Sequence, residues 1–249
     1  MDEFAIQRGH RYATVVIEVH TRRILWVGRE RSRAGVRPSF ELLGEEGCAR
    51  IKAVAMDMNA AYANEVRERC PQAEIVYDLF HVVAKYGHDV IDRVRVDEAN
   101  RLREDKKARK VVKTARWLLL RNRDNLKRPE DKIRHDELLA ANQALMTVYV
   151  MKDELKELCR QPTKAAARRA WRAWWNKAID SGIAPLVRFA RKLAPYLHGI
   201  AASATWRLGT SVLEGINNKI KVIKRMAYGY RDDAYFFLKI RAAFPGIAR

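Results

Sequence analysis

Apolar positions fall into two regimes along the chain. In the first part they come in short β-branched runs broken by charge. Beyond residue 78 they recur at the spacing of helices. YATVVIEV (12–19) and RILWV (23–27) read as two strands of a hairpin across "HTR". Residues 38–48 read as a helix with Phe40, Leu42 and Leu43 apolar. IKAVAM (51–56) reads as a buried strand that ends on Asp57. Residues 60–70 read as a helix, and 74–77 as a short strand ending on Asp78. From 79 to about 182 nearly everything is helical in character, with Pro only at 129 and 162, and 206–225 is a last long helix or helix pair.

A hairpin, a crossover helix and a parallel strand form the front half of a mixed α/β sheet. The expected organisation is a core over 1–90, a helical insertion over 91–200, and a return to the core over 201–249. No repeat and no low-complexity linker interrupts it.

Composition sharpens this picture. The 249 residues are 48% apolar, enough for a real core, and the net charge is +19. That charge is one-sided. Residues 1–100 carry 15 Lys and Arg against 16 Asp and Glu, whereas 101–249 carry 34 against 14. The second part therefore suits a polyanionic partner better than a merely solvated surface. Cys48, Cys70 and Cys159 lie far apart with no CxxC pair, so no zinc finger or disulfide framework is indicated, and a reducing, cytoplasmic setting is expected. No apolar run reaches the ~18 residues of a membrane span. The acidic start, MDEF, does not suit a signal peptide.

Three acids carry candidate chemistry. Asp57 ends an apolar strand, where ligand sites collect in open α/β sheets, although such a residue also serves as a helix N-cap. Asp2 alone reads as a terminal acid. Glu214 alone reads as the partner of Asn218 or Lys221 within its helix. Together they supply the hard oxygen donors that Mg²⁺ or Mn²⁺ prefers, and paired divalent ions clamp the oxygens of a phosphodiester. The basic residues after Glu214 (Lys219, Lys221, Lys224, Arg225 and Arg231) would then face a DNA backbone while the lone acid faces the cation. In KAAARRAWRAWWNKA (164–178), tryptophans and arginines at three- and four-residue spacing fit a seam packed into the helical core better than exposed rings for stacking on bases.

Four stretches (DEFAIQRGHRYATVVIEVHTRRILWV, AVAMDMNAAYANEV, CPQAEIVYDLFHVV and LEGINNKIKVIKRMAYGYR) resemble the catalytic domain of DDE transposases of the ISL-three insertion-sequence family. The resemblance implies a ribonuclease-H-like mixed sheet with a long all-helical insertion before the last catalytic helix. It implies a metal triad of Asp2, Asp57 and Glu214, with spacings of 55 and 157 residues. Support roles fall on Asp78 and His81, in "YDLFH", and on Asn217, one helical turn beyond Glu214. His81 also reads as an ordinary structural histidine.

The family's cysteine-rich segment and helix-turn-helix are not among these residues, and only Met1 precedes Asp2. The expectation is an N-terminally truncated enzyme with half a central strand missing and Asp2 loosely held. Asn59 stands where the family more often has an aromatic. The implied function is Mg²⁺-dependent cleavage and joining of double-stranded DNA at element ends and target, by a chain at the nucleoid and compatible with a homo-oligomer. The alternatives are a DNA-binding fragment that modulates an intact transposase, and a ribonuclease-H-like nuclease without joining activity.

Overall fold

The computed structural model describes every residue except 8–10, 207, 209, 248 and 249; of 159, 210, 211 and 214 it describes the backbone alone. The described chain is a mixed α/β protein that divides into two units, Met1–Asp78 with Trp206–Arg249, and Leu79–Thr205.

The first unit opens with β1 (Asp2–Gln7), β2 (Arg11–Glu18) and β3 (Arg23–Arg29), an antiparallel meander with Asp2 opposite Val15 and Val15 opposite Val27. One face follows the period of two: Phe4 and Ile6, then Ala13, Val15 and Ile17, all buried. α1 (Arg33–Ala49) starts at Ser32, whose hydroxyl accepts the Gly35 N–H, and it breaks at Gly44, where φ is +66°. It therefore begins well before residue 38; Pro38 lies inside it and does not open it.

β4 (Ala53–Met56), α2 (Ala60–Arg69) and β5 (Glu74–Tyr77) form a βαβ unit, with β4 and β5 parallel in the register Ala53–Glu74 to Met56–Tyr77. α2 is fixed to α1 by charge. Glu65, fully buried, accepts from Arg33 and Arg37, each at 2.9 Å, and lies 3.4 Å from Arg69.

The helical unit runs through α3 (Leu79–Tyr86), α4 (Arg93–Arg101), α5 (Lys106–Thr114), α6 (Arg116–Leu120), α7 (Pro129–Ala141), α8 (Gln143–Cys159), α9 (Lys164–Asp180), α10 (Ala184–Leu193) and α11 (Leu197–Ala202), with a π-helical turn over Gly87–Asp92. In α9 the tryptophans belong to the core. Trp171 and Trp174 are buried and stacked, and the Trp174 indole N–H donates to the Met151 carbonyl at 2.9 Å. The neighbouring Arg168, Arg169 and Arg172 are exposed.

The chain returns to the first unit at Trp206, whose indole N–H donates to Glu74 at 2.5 Å. α12 (Thr210–Met226) follows, then α13 (Asp233–Ala243), which the apolar pattern did not announce. Leu213, Ile216 and Ile220 of α12 and Phe236 and Ile240 of α13 close over the apolar face of the meander. Their spacings of three and four residues mark one stripe of each helix.

Candidate active site

Two parallel strands deliver two aspartates to one edge. Met56 pairs with Tyr77 at the end of the β4–β5 ladder, so the next residues, Asp57 and Asp78, emerge side by side. The Asp78 N–H donates back to the Met56 carbonyl at 2.9 Å. Asp57 is not the helix cap: Asn59 is, its side chain accepting the Ala61 N–H at 2.9 Å. Among the described residues the Asp57 carboxylate accepts only from the adjacent Met58 N–H, at 2.6 Å. Thus Asn59 starts α2, and the strand-end acid is left out of the cap.

Asp2 reaches the same edge from the other sheet. The Met1 amine donates to the Ala55 carbonyl at 2.6 Å, which brings the start of β1 to the end of β4. Burial pushes that amine down to about 6, while the charges of Asp2 and Asp78 pull it the other way.

Asp2 is not loose, contrary to the sequence expectation. Its Oδ1 accepts the Glu3 N–H at 2.8 Å, and its Oδ2 accepts from the Asn217 side-chain amide at 2.6 Å. The reason is α12, which packs Ile216 and Ile220 into the core and so turns Asn217 toward β1. Asn217 Oδ1 is buried and has no hydrogen-bond partner among the described residues. Glu214 lies three residues earlier on α12, the same helical face as Asn217; its side chain lies outside the described residues. Among the described residues, no three His, Cys, Asp or Glu side chains form a metal-binding group.

Tyr62 was not singled out by the sequence. Its hydroxyl hydrogen-bonds Thr14 of β2 at 2.5 Å. Burial, with smaller help from the charges of Glu3 and Asp2 and against the lowering effect of the Thr14 hydrogen bond, pushes it up to about 12. Nothing in "AAYANEV" marks it out, because its partner Thr14 lies 48 positions away in sequence. His81 lies in α3, in the helical unit, half-buried and ring-to-ring with Phe80 at 5.9 Å.

The basic residues of α12 and of the turn that follows it divide into two groups. Lys219 donates to the Ala243 carbonyl at 2.9 Å and sits over the Phe244 ring, and Lys224 donates to the Ala5 carbonyl at 3.1 Å. Lys221, Arg225 and Arg231 are exposed. Among the described residues no helix is long and apolar enough to cross a membrane.

A family model described as "Transposase" matches residues 1–240 of this arrangement. The chain belongs to the ISL-three family of insertion-sequence transposases. It is 61% identical, over all 249 residues, to the transposase for insertion sequence element IS1001 of Bordetella parapertussis, and spans 61% of that protein's length. It is 27% identical over 253 residues, covering 93% of this chain and 56% of the relative, to the transposase for insertion sequence element IS1557 of Mycobacterium tuberculosis. No solved structure matches it.

Proposed function

We propose that this chain is the DNA-cutting and DNA-joining part of a transposase, with Asp2, Asp57 and Glu214 as its acidic triad. The observation that carries the reading is the Asn217–Asp2 hydrogen bond, which draws the helix bearing Glu214 to the strand bearing Asp2. The Met1–Ala55 contact supports a single ribonuclease-H-like sheet in the order β3-β2-β1-β4-β5, with Asp2 and Asp57 on neighbouring strands.

The donor set fits Mg²⁺ or Mn²⁺. It offers carboxylate oxygens, and beside Asp2 a buried amide oxygen, that of Asn217, that no group among the described residues satisfies. Asp2, Asp57 and Glu214 would hold the cation, with Asp78 in support. When bound, it supplies Lewis-acid stabilisation of charge on phosphodiester oxygens. Asn217 orients Asp2 by donating to one oxygen and leaving the remaining lone pairs available. Lys221, Arg225 and Arg231 would take backbone phosphates of double-stranded DNA. Lys219 and Lys224, held by carbonyls, would add their field and stiffen the helix against the sheet.

The test is cleavage of a duplex carrying the terminal sequence of the element that encodes this chain, with and without Mg²⁺, followed by a search for joined product. Asp57→Asn and Glu214→Gln should each lower the rate by at least about 10³-fold, the scale of losing a preorganised charge-stabilising group. Undiminished cleavage in either variant would remove the triad. Binding without cleavage by the unaltered chain would reduce it to a DNA-binding protein.

A further inference from the structure

The helical unit carries a second basic surface, on α5, that the reading above does not use. KKARKVVKT contains five basic residues and no acid. Lys106, Lys107, Lys110 and Lys113 are separated by one, three and three residues. At 100° per residue they occupy an arc of roughly 120° on one side of the helix. The opposite side holds the helix down: Val112 and Ala115 are buried, and the Lys113 carbonyl accepts from Arg95 of α4 at 2.6 Å. Asp105 caps the start, accepting the Ala108 N–H at 2.9 Å.

All four lysines are exposed, and among the described residues none makes an ion pair or a side-chain hydrogen bond. That differs from α12, where Lys219 and Lys224 are turned back onto carbonyls. It also differs from α1, where Arg33 and Arg37 are committed to Glu65. Four uncompensated ammonium groups repel one another and contribute nothing to holding the unit together, so their grouping calls for a polyanion. Just past the end of α5 stands Trp117, 65% exposed, with the Arg116 guanidinium 5.6 Å from its ring. The other five tryptophans of the chain are buried or half-buried.

We infer that α5 is a DNA-backbone contact of the helical unit, separate from the acidic edge, binding duplex phosphates through Lys106, Lys107, Lys110 and Lys113 with Trp117 at the margin of the contact. The lysines span roughly 10 Å along the helix, about three phosphate steps of one strand at ~3.4 Å each. This rests on DNA being the partner, as proposed above.

The experiment is equilibrium binding of the full chain to a labelled duplex across a salt series. Replacing the four lysines by glutamine should reduce the slope of log K against log salt by about 3.5, the counterion release of four phosphates. Removing four charges elsewhere in the same unit, at Arg172, Arg188, Arg191 and Lys192, should change the slope by less than about 1. DNA should quench tryptophan emission in the unaltered chain, and Trp117→Phe should lose most of that quenching. Thermal melts of each variant check that it folds. An unchanged slope in the folded lysine variant, or an equal fall in both fourfold variants, overturns the α5 contact while leaving DNA binding intact. Failure of the unaltered chain to bind any duplex overturns the functional reading itself, and this contact with it.

Discussion

The side-chain amide of Asn217 donates to the carboxylate of Asp2 at 2.6 Å, across 215 positions of sequence. The bond couples the last long helix to the first strand at the edge where Asp57 and Asp78 emerge. A hydrogen bond to a charged group contributes about 1.5–3 kcal/mol. Asn217→Ala should therefore lower stability by about 1–2 kcal/mol, since the released carboxylate regains water in part. It should also weaken the rise in melting temperature produced by added Mg²⁺ or Mn²⁺. A calorimetric melt with and without cation measures both effects, and a cation-induced rise equal to that of the unaltered chain would count against the positioning role.

Asn59 gives a way to separate capping from chemistry. Asn59→Ala should cost about 1 kcal/mol, and Asn59→Asp close to nothing, because aspartate caps as well as asparagine does. Chemical denaturation of the two variants reads this directly. A cost for Asp57→Ala as large as that for Asn59→Ala would return the capping role to Asp57.

The buried Glu65 ties α1 to α2 and sets an acid limit on stability. Hydrogen bonds from Arg37 and Arg33 hold its carboxyl at about 2, below the usual 4.5. A carboxyl depressed in the folded state stabilises fully above about pH 4.5, and that contribution is lost as pH falls toward 2. The arginines are 38–41% exposed, so screening trims the contribution to about 2 kcal/mol. Melting temperatures of Glu65→Gln and the unaltered chain should differ at pH 7 and converge near pH 2.

Lys152 works in the opposite direction. It is buried, donates to the Leu119 and Arg121 carbonyls at 3.2 Å, and lies 4.0 Å from the centre of the Tyr149 ring. Desolvation lowers it from 10.5 to about 8. The protonated side chain therefore burdens the fold fully below pH 8, and the burden lifts as pH rises from 8 toward 10.5. The unaltered chain should gain on Lys152→Met by up to about 3 kcal/mol across that window. A stability difference that stays flat from pH 7 to 10.5 would contradict it.

Strands β2 to β5 were legible because each is a short β-branched or apolar run with a charged or turn boundary. β1 was not: DEFAIQ has only Phe4 and Ile6 to show, and the strand was implied by family resemblance alone. The start of α1 was misread because Pro38 imitates a first-turn proline, while the real cap is Ser32. α13 escaped notice because its apolar residues surround it, Phe236 and Ile240 inward but Tyr235 and Leu238 exposed. The Trp171–Trp174 seam was legible, since three- and four-residue spacing is the signature of a packed helix face. Asn59 outcompeting Asp57 as the cap turned on which side chain met the Ala61 N–H, a matter of backbone angles that composition does not encode. The carbonyls that take up Lys219 and Lys224 belong to residues 243 and 5, so only the fold could bring them within reach.

The bond between Trp206 and Glu74 has a wider consequence. It pins the point where the chain re-enters the first unit within a few residues of the point where it leaves, at Asp78. To that unit, everything between is one closed loop, and the entropy of closing a loop grows only with the logarithm of its length, about 0.6 kcal/mol per doubling. Trimming or lengthening the helical block should thus disturb the acidic edge far less than its bulk suggests, making this junction a natural graft point for swapping one such block for another.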